Sequence, residues 1–289
     1  MDKYFKSLKE RIFNGEIINL NLGPKQYDPN GDILEVDLAD LHLGLYASEE
    51  ETGEVYNKKI AKERVENAIT DIEERCKGRV FSKVVFAVLG DILHVDNLNN
   101  TTTKGTRQDA DGRLYEMFDE ALDLMIMCIG RLGCIAPVDV IWISGNHDLM
   151  TGYTLGRAVE MAFINEDKVK FYTTFKNRKA MRYGKVLLGW SHGEEKEYIL
   201  ASWLQNEYPK EWGASKYREV HVGHLHHSSG FKSVFEDTDK GIVCRGVNSL
   251  CSASGWEYAQ GYPKLPKQMQ CFVWNPEKGL REQWYITVS

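Results

Sequence analysis

The apolar positions of this 289-residue chain change period along its length, and each change marks an element. Phe5, Leu8, Ile12 and Phe13 recur at helical spacing and predict a short amphipathic helix over residues 4–13. Two glycines and two prolines then break the pattern over residues 21–32, which read as a loop. Residues 33–38 form an apolar-rich run that predicts a strand leading into Asp40 and His42. Over residues 58–76, Ala61, Val65, Ala68, Ile69, Ile72 and Cys76 keep the spacing of a helix with one buried face, and charged residues fill its solvated side. Residues 84–89 are continuously β-prone, as expected of a strand covered on both faces, and end at Gly90-Asp91. Leu114, Phe118, Ala121, Leu122, Met125 and Ile129 predict a second long helix over 113–132. A third strand follows over 138–143 and ends at Gly145-Asn146-His147-Asp148.

Strand, helix, strand, helix, strand is the order of an α/β sheet with helices outside it. The second half reads differently. Residues 179–183 and 186–190 flank Gly184-Lys185 as a hairpin that ends at His192. A helix is expected over 196–207, then a strand over 219–222 entering Gly223-His224-Leu225-His226. Late strands are expected over 242–247, 269–274 and 283–288. No repeat or linker-like stretch interrupts residues 33–289. The expectation is therefore one domain over 1–289, with 1–32 as an N-terminal helix-and-loop extension.

Composition narrows the class. A hydrophobic fraction of 43% with 27% charged residues is that of an ordinary globular chain. No apolar run approaches the ~18 residues of a membrane span, and Met1-Asp2-Lys3-Tyr4-Phe5-Lys6 lacks the apolar core of a signal peptide. Cys76, Cys128, Cys134, Cys244, Cys251 and Cys271 contain no CxxC pair, so reduced, packed thiols in a cytoplasmic protein are expected. The net charge of -6 argues against a surface built for nonspecific nucleic-acid binding. A nucleic-acid substrate stays open, because bound cations make an acidic site locally positive.

Five fragments carry the chemistry: Asp40-Leu41-His42, Gly90-Asp91-Ile92-Leu93-His94, Gly145-Asn146-His147-Asp148, Ser191-His192-Gly193 and Gly223-His224-Leu225-His226. They hold six of the 8 histidines, and each offers the O and N donors that first-row divalent metals accept. Three of them follow clear β-type runs, where the loops of an α/β sheet converge on ligands. A pair of metals that clamps a phosphoryl group requires roughly seven protein ligands with one carboxylate shared. Asp40, His42, Asp91, Asn146, His192, His224 and His226 supply that number. Any one fragment alone also fits an ordinary turn or surface pair, but all five in order point to metal-assisted chemistry on a phosphate ester.

The ordered set D-x-H, GD-x-x-H, GNHD, H and GH-x-H resembles the calcineurin-like metallophosphoesterase superfamily over residues 33–228 or so. The resemblance implies a four-layer α/β/β/α sandwich, in which helices flank two mixed β-sheets. It implies one metal on Asp40, His42, Asp91 and His226 and another on Asp91, Asn146, His192 and His224, with Asp91 bridging. Manganese is the first choice of metal; iron, zinc and nickel suit the same donors. A metal-bridging hydroxide is then the expected nucleophile, His147 the proton donor to the leaving oxygen, and Asp148 the group that orients His147.

Within the set, Gly90-Asp91-Ile92-Leu93-His94 resembles the corresponding segment of the SbcD-type nucleases and makes His94 a third candidate catalytic residue. The stretch from Trp212-Gly213 to His227 is similar to small phosphoesterases of phages and prophages, and no obvious DNA-capping domain is expected after the core, which weighs against the nuclease reading. The expected activity is a dinuclear-metal phosphodiesterase acting on a phosphodiester substrate, with a DNA exo- or endonuclease as its narrower form. A phosphomonoesterase or nucleotide hydrolase with the same metals is the alternative, and a catalytically silent scaffold of the same fold is a third reading.

Two segments are candidates for substrate contact. The polar loop 96–108 offers Asn97, Lys104 and Arg107 to phosphates or bases, and a plain solvated loop fits it equally. Trp256, Tyr258 and Tyr262 could stack on a base or simply anchor their own loop. His221, inside an expected strand, and His227 receive no role.

Overall fold

Eleven strands and seven helices are defined in a computed structural model that describes residues 27–195, 199, 202–224, 234–237, 241–261 and 266–289. The helix expected over 4–13, His226, His227, Tyr262 and most of residues 196–202 lie outside the described residues. In chain order the elements are β1 (Ile33–Leu38), α1 (Glu49–Thr52), α2 (Lys58–Cys76), β2 (Lys83–Leu89), α3 (Leu114–Leu132), β3 (Val138–Ile143), α4 (Leu149–Ala162) and β4 (Val169–Tyr172). They continue with β5 (Arg178–Tyr183), β6 (Val186–Ser191), α5 (Trp203–Glu207), α6 (Pro209–Ala214), β7 (Tyr217–Val222), β8 (Val234–Asp237), β9 (Ile242–Gly246), α7 (Gly255–Ala259), β10 (Gln268–Asn275) and β11 (Gly279–Thr287).

One sheet has the order β11-β10-β1-β2-β3-β4 and the other β5-β6-β7-β9-β8. In the first, β1 to β4 run parallel, while β10 pairs antiparallel with β1 and β11 antiparallel with β10. In the second, β6, β7 and β9 are parallel, and β5 and β8 close the edges antiparallel. Both sheets are therefore mixed.

Alternation along the strands builds the layers. Leu34, Val36 and Leu38 of β1, with Val84, Phe86 and Val88 of β2, face Ala61, Val65 and Ile69 of α2 and Met125 and Ile129 of α3. Their neighbours Ile33, Val85, Ala87 and Leu89 face the other way, against Val186, Leu188 and Trp190 of β6. Beyond the second sheet, Leu187, Val220, Val222 and Cys244 pack on Trp203 and Leu204 of α5. The result is the helix, sheet, sheet, helix sandwich that the resemblance implied. Each fully buried large apolar side chain of this kind contributes about 1.5–3 kcal/mol of transfer free energy, and the buried carboxylates Glu35 and Asp37 of β1 and Asp139 of β3 interrupt the apolar runs.

Six of the described elements have no counterpart in the sequence reading: α1, α4, β4, α6, β8 and α7. The longest is helix α4, which with strand β4 follows β3. Gly152 and Gly156 weaken the helical signal of α4, but a Cβ at Gly156 would stand 2.7 Å from the Trp142 indole, and one at Gly152 2.8 Å from the Asp148 carboxyl. Close packing thus demands the very residues that hide the helix. Strand β4 is a four-residue edge strand with only Val169 buried. Among the described residues every cysteine is free, and no helix is long and apolar enough to cross a membrane.

Candidate metal centre

The loops after β1, β2, β3, β6 and β7 meet at one end of the sandwich, and their backbones are strained there. Five non-glycine residues among those described have positive φ. Four of them are Asp40 (51°), His42 (46°), Asp91 (52°) and His224 (60°); the fifth is Asn100. Each such conformation costs on the order of 1–3 kcal/mol unless its surroundings impose it. Here hydrogen bonds impose it: Asp40 N and His42 N donate to Gly90 O (3.1 Å) and Asp91 O (2.9 Å), and Ser249 Oγ donates to Asp40 O (2.6 Å). The turn after β1 therefore rides on the turn after β2. Gly90 itself has φ 93°, and a Cβ on it would lie 2.6 Å from His192 Nδ1 and 2.7 Å from Gly145 N. At Gly145 a Cβ would come within 2.0 Å of Asp91 Oδ1. The glycines of the sequence fragments thus leave room for the ligand side chains of neighbouring loops.

Asp91 sits at the centre. Its Oδ1 accepts a hydrogen bond from His147 N (2.8 Å). Its Oδ2 faces His192 Nε2 at 3.3 Å on one side and His42 Nε2 at 3.9 Å on the other. His192 Nδ1 donates to Leu89 O (2.8 Å), which turns Nε2 toward Asp91 and toward Asn146 Oδ1, 3.0 Å away. Asp40 Oδ2 accepts from His224 N (2.8 Å), joining the β1 loop to the β7 loop. Three groups meet here, Asp40–His42–Asp91, Asp91–His192–His224 and His42–His94–His147, and within each the potential ligand atoms all lie within 4.8 Å of one another. These groups could hold metal ions, and the first two share Asp91.

The electrostatics fit such a use. Burial would raise the Asp91 carboxyl, yet His192, His42 and His147 outweigh it and hold the group below the ordinary carboxylate range. Burial, reinforced by Asp91 and opposed by His192, pushes Asp40 up to about 8. His192 is raised to about 10, because Asp91 and Asp40 overcome the burial that would lower it. Burial and His192 together push His224 down. The field that holds a proton on His192 is the field a divalent cation would meet in its place, with imidazole then binding as the neutral ligand. Only carboxylate and amide oxygens and imidazole nitrogens converge here, a donor set that suits the metals expected from the sequence.

Three of the expected site residues, His94 among them in the cleft wall, have hydrogen-bond partners that the sequence did not anticipate. His94, expected among the catalytic residues, is buried with its Nδ1 3.3 Å from His42 Nδ1, and burial followed by His147 pushes its pKa down to about 3. In the tautomer with the shared proton on His42 Nδ1, a neutral His94 ring accepts it and His42 Nε2 stays aimed at Asp91. Asp148, expected to orient His147, instead accepts from Gly145 N (2.9 Å), Leu93 N (3.1 Å) and Asp91 N (3.2 Å). Burial and the Asp91 charge raise Asp148 to about 6 against those amides. It ties the β2 and β3 loops together, while His147 is oriented by its Nδ1 donating to His94 O (3.0 Å). Asn97, expected to touch substrate, turns into its own loop, donating to Thr101 Oγ1 (2.6 Å) and accepting from Asn99 N (3.0 Å).

A cleft of about 560 Å³ opens over the centre, with His42, Asp91, Asn146, His147 and His224 in its wall. Lys104 and Arg107 of the 96–108 loop also line it, Lys104 paired with Glu194 at 2.9 Å. Trp256, 66% exposed, lines the same cleft on α7, whose first turn is fixed by reciprocal Ser254–Glu257 hydrogen bonds. Tyr46 joins it, a residue no sequence motif singled out. Tyr258 is exposed and does not line the cleft. His221, left without a role above, is buried among carboxylates between the sheets. The only signal for it in the sequence was a charged pair, Glu219 and His221, on one face of a buried strand.

No family model matches the chain, and no curated protein matches it.

Proposed function

We propose that the protein is a dinuclear-metal phosphodiesterase of the calcineurin-like metallophosphoesterase superfamily. The observation that carries this reading is the single carboxylate, Asp91, standing between two compact His/Asp groups. In this reading Asp40, His42 and Asp91, with His226, hold one ion, and Asp91, Asn146, His192 and His224 hold the other. Once bound, two divalent ions supply the charge that clamps phosphoryl oxygens and the polarisation that activates water. Manganese is the proposed metal, by its fit to mixed N and O donors.

The protein's own groups do the rest. His94 aligns His42. His147, whose Nδ1 is occupied by the His94 carbonyl, keeps Nε2 for the leaving oxygen and is the proposed proton donor. The cleft has the volume of a site for a nucleotide-sized ligand. A diester carries a second substituent that a monoester lacks, and Lys104, Arg107, Tyr46 and Trp256 offer it cations and aromatic faces. Such groups would suit a diester, and a nucleic acid among diesters.

The test is a pair of chromogenic substrates, bis(p-nitrophenyl) phosphate and p-nitrophenyl phosphate, assayed with the metal-stripped protein before and after adding manganese. Manganese-dependent cleavage with higher kcat/KM for the diester is expected. Preference for the monoester, or cleavage indifferent to metal, would overturn the proposal.

A further inference from the structure

Three residues before Asp40 on β1, and three before His224 on β7, the two sheets are joined by a buried ionic knot. The His221 ring, 1% exposed, places Nδ1 2.7 Å from Asp37 Oδ2 and 3.1 Å from Glu35 Oε1, and Nε2 3.0 Å from Glu219 Oε1. Both nitrogens meet carboxylate oxygens, so a doubly protonated ring donates to both sides, while burial and the Glu35 charge push Asp37 up to about 7. Glu35 and Asp37 on β1 outweigh the burial that would lower the His221 pKa, and hold it well above the ordinary histidine range.

The carboxylates are fixed in turn. Glu35 accepts from the indoles of Trp190 on β6 and Trp274 on β10, each at 2.6 Å, and Glu219 pairs with Arg245 on β9. No lone pair of the ring is left for a metal, because the imidazolium itself is the cation of this cluster. Around it the space between the sheets is apolar, occupied by Val85, Ala87, Leu188 and Phe272.

An apolar filler of the same volume would hold two sheets together at least as well. What an ion pair adds is geometry, since oppositely charged groups at hydrogen-bonding distance admit one register. The register in question is that of β1 against β7, whose next turns bring Asp40 Oδ2 to His224 N at 2.8 Å. We propose that His221, gripped by Glu35, Asp37 and Glu219, is a positioning residue that locks β1 to β7 and thereby aligns the two metal-binding groups on Asp91. The inference rests on the dinuclear reading above.

The test uses the full chain and manganese alone. His221→Gln and Asp37→Asn are compared with the unaltered protein by circular dichroism, by calorimetric titration, and by the paramagnetic resonance spectrum of the manganese-loaded form. In the unaltered protein two manganese ions sharing Asp91 should give an exchange-coupled spectrum. His221→Gln should fold yet bind manganese about 10-fold or more weaker, the usual scale for losing support behind metal ligands, and its spectrum should revert toward that of isolated ions. Asp37→Asn keeps an acceptor for the ring and should show the same change in smaller degree. It also carries the test if His221→Gln fails to fold. A folded variant with unaltered affinity and coupling would overturn the clamp while leaving the dinuclear reading standing. Absence of manganese binding in the unaltered protein would instead defeat that reading and the clamp with it.

Discussion

Asp91 Oδ2 has His192 on one side and His42 on the other, while Oδ1 is taken by the His147 amide. The residue types at this centre were legible in the sequence because few side chains can bind divalent metals, and here they follow predictable strand ends. Their division of labour was not. Asp148 is the neighbour of His147 in sequence, yet its carboxyl turns back to three amides of the β2 and β3 loops. A motif records adjacency along the chain, whereas hydrogen-bond partners are set by how the loops cross. The His147 assignment has a sharp consequence. His147→Ala should bind manganese as the unaltered protein does and lose about 10²–10⁴-fold in diester turnover, the usual worth of a positioned proton donor. Undiminished turnover in that variant would remove His147 from the chemistry.

Among the elements, β1, β3 and α2 match their expected bounds because burial on one or both faces imposes a clear period on their residues. Helix α4 escaped detection because tight packing on Trp142 and Asp148 selects glycine over good helix formers. Lys179 on β5 was equally silent, since a lysine in a hairpin reads as solvated. The structure buries it, with Nζ donating to Trp142 O (2.6 Å), Thr174 O and Lys176 O (2.8 Å each), so it pins β5 to the end of β3. Burial, then the Lys176 charge, lowers its pKa from 10.5 to about 8. The unfolded chain thus binds this proton more tightly than the folded one between those values, and folding stability gains as pH rises through the window. Melting temperatures measured from pH 8 to 10 should rise, or fall less, in the unaltered protein relative to Lys179→Met. A constant gap between the two would show that Lys179 stays charged in the fold.

At the scale of the whole molecule, the two mixed sheets could be anticipated from strand–helix alternation together with the family resemblance, but not the way they lock together. His221 reaches Asp37 across 184 residues of sequence, a pairing that no local pattern encodes. The same locking brings five loops from two sheets to one end, where a chain of net charge -6 gathers Asp40 and Asp91 beneath a cleft that Lys104 and Arg107 also line. Such a centre, if it serves two metals, should depend on its shared carboxylate more than on any other residue. The direct measurement is a manganese titration of the metal-stripped chain and of Asp91→Asn, read as ions bound per chain. Two ions per unaltered chain, falling to one or none in Asp91→Asn, is the expected result. A single ion in the unaltered chain, or two ions bound with equal affinity by both proteins, would contradict the account.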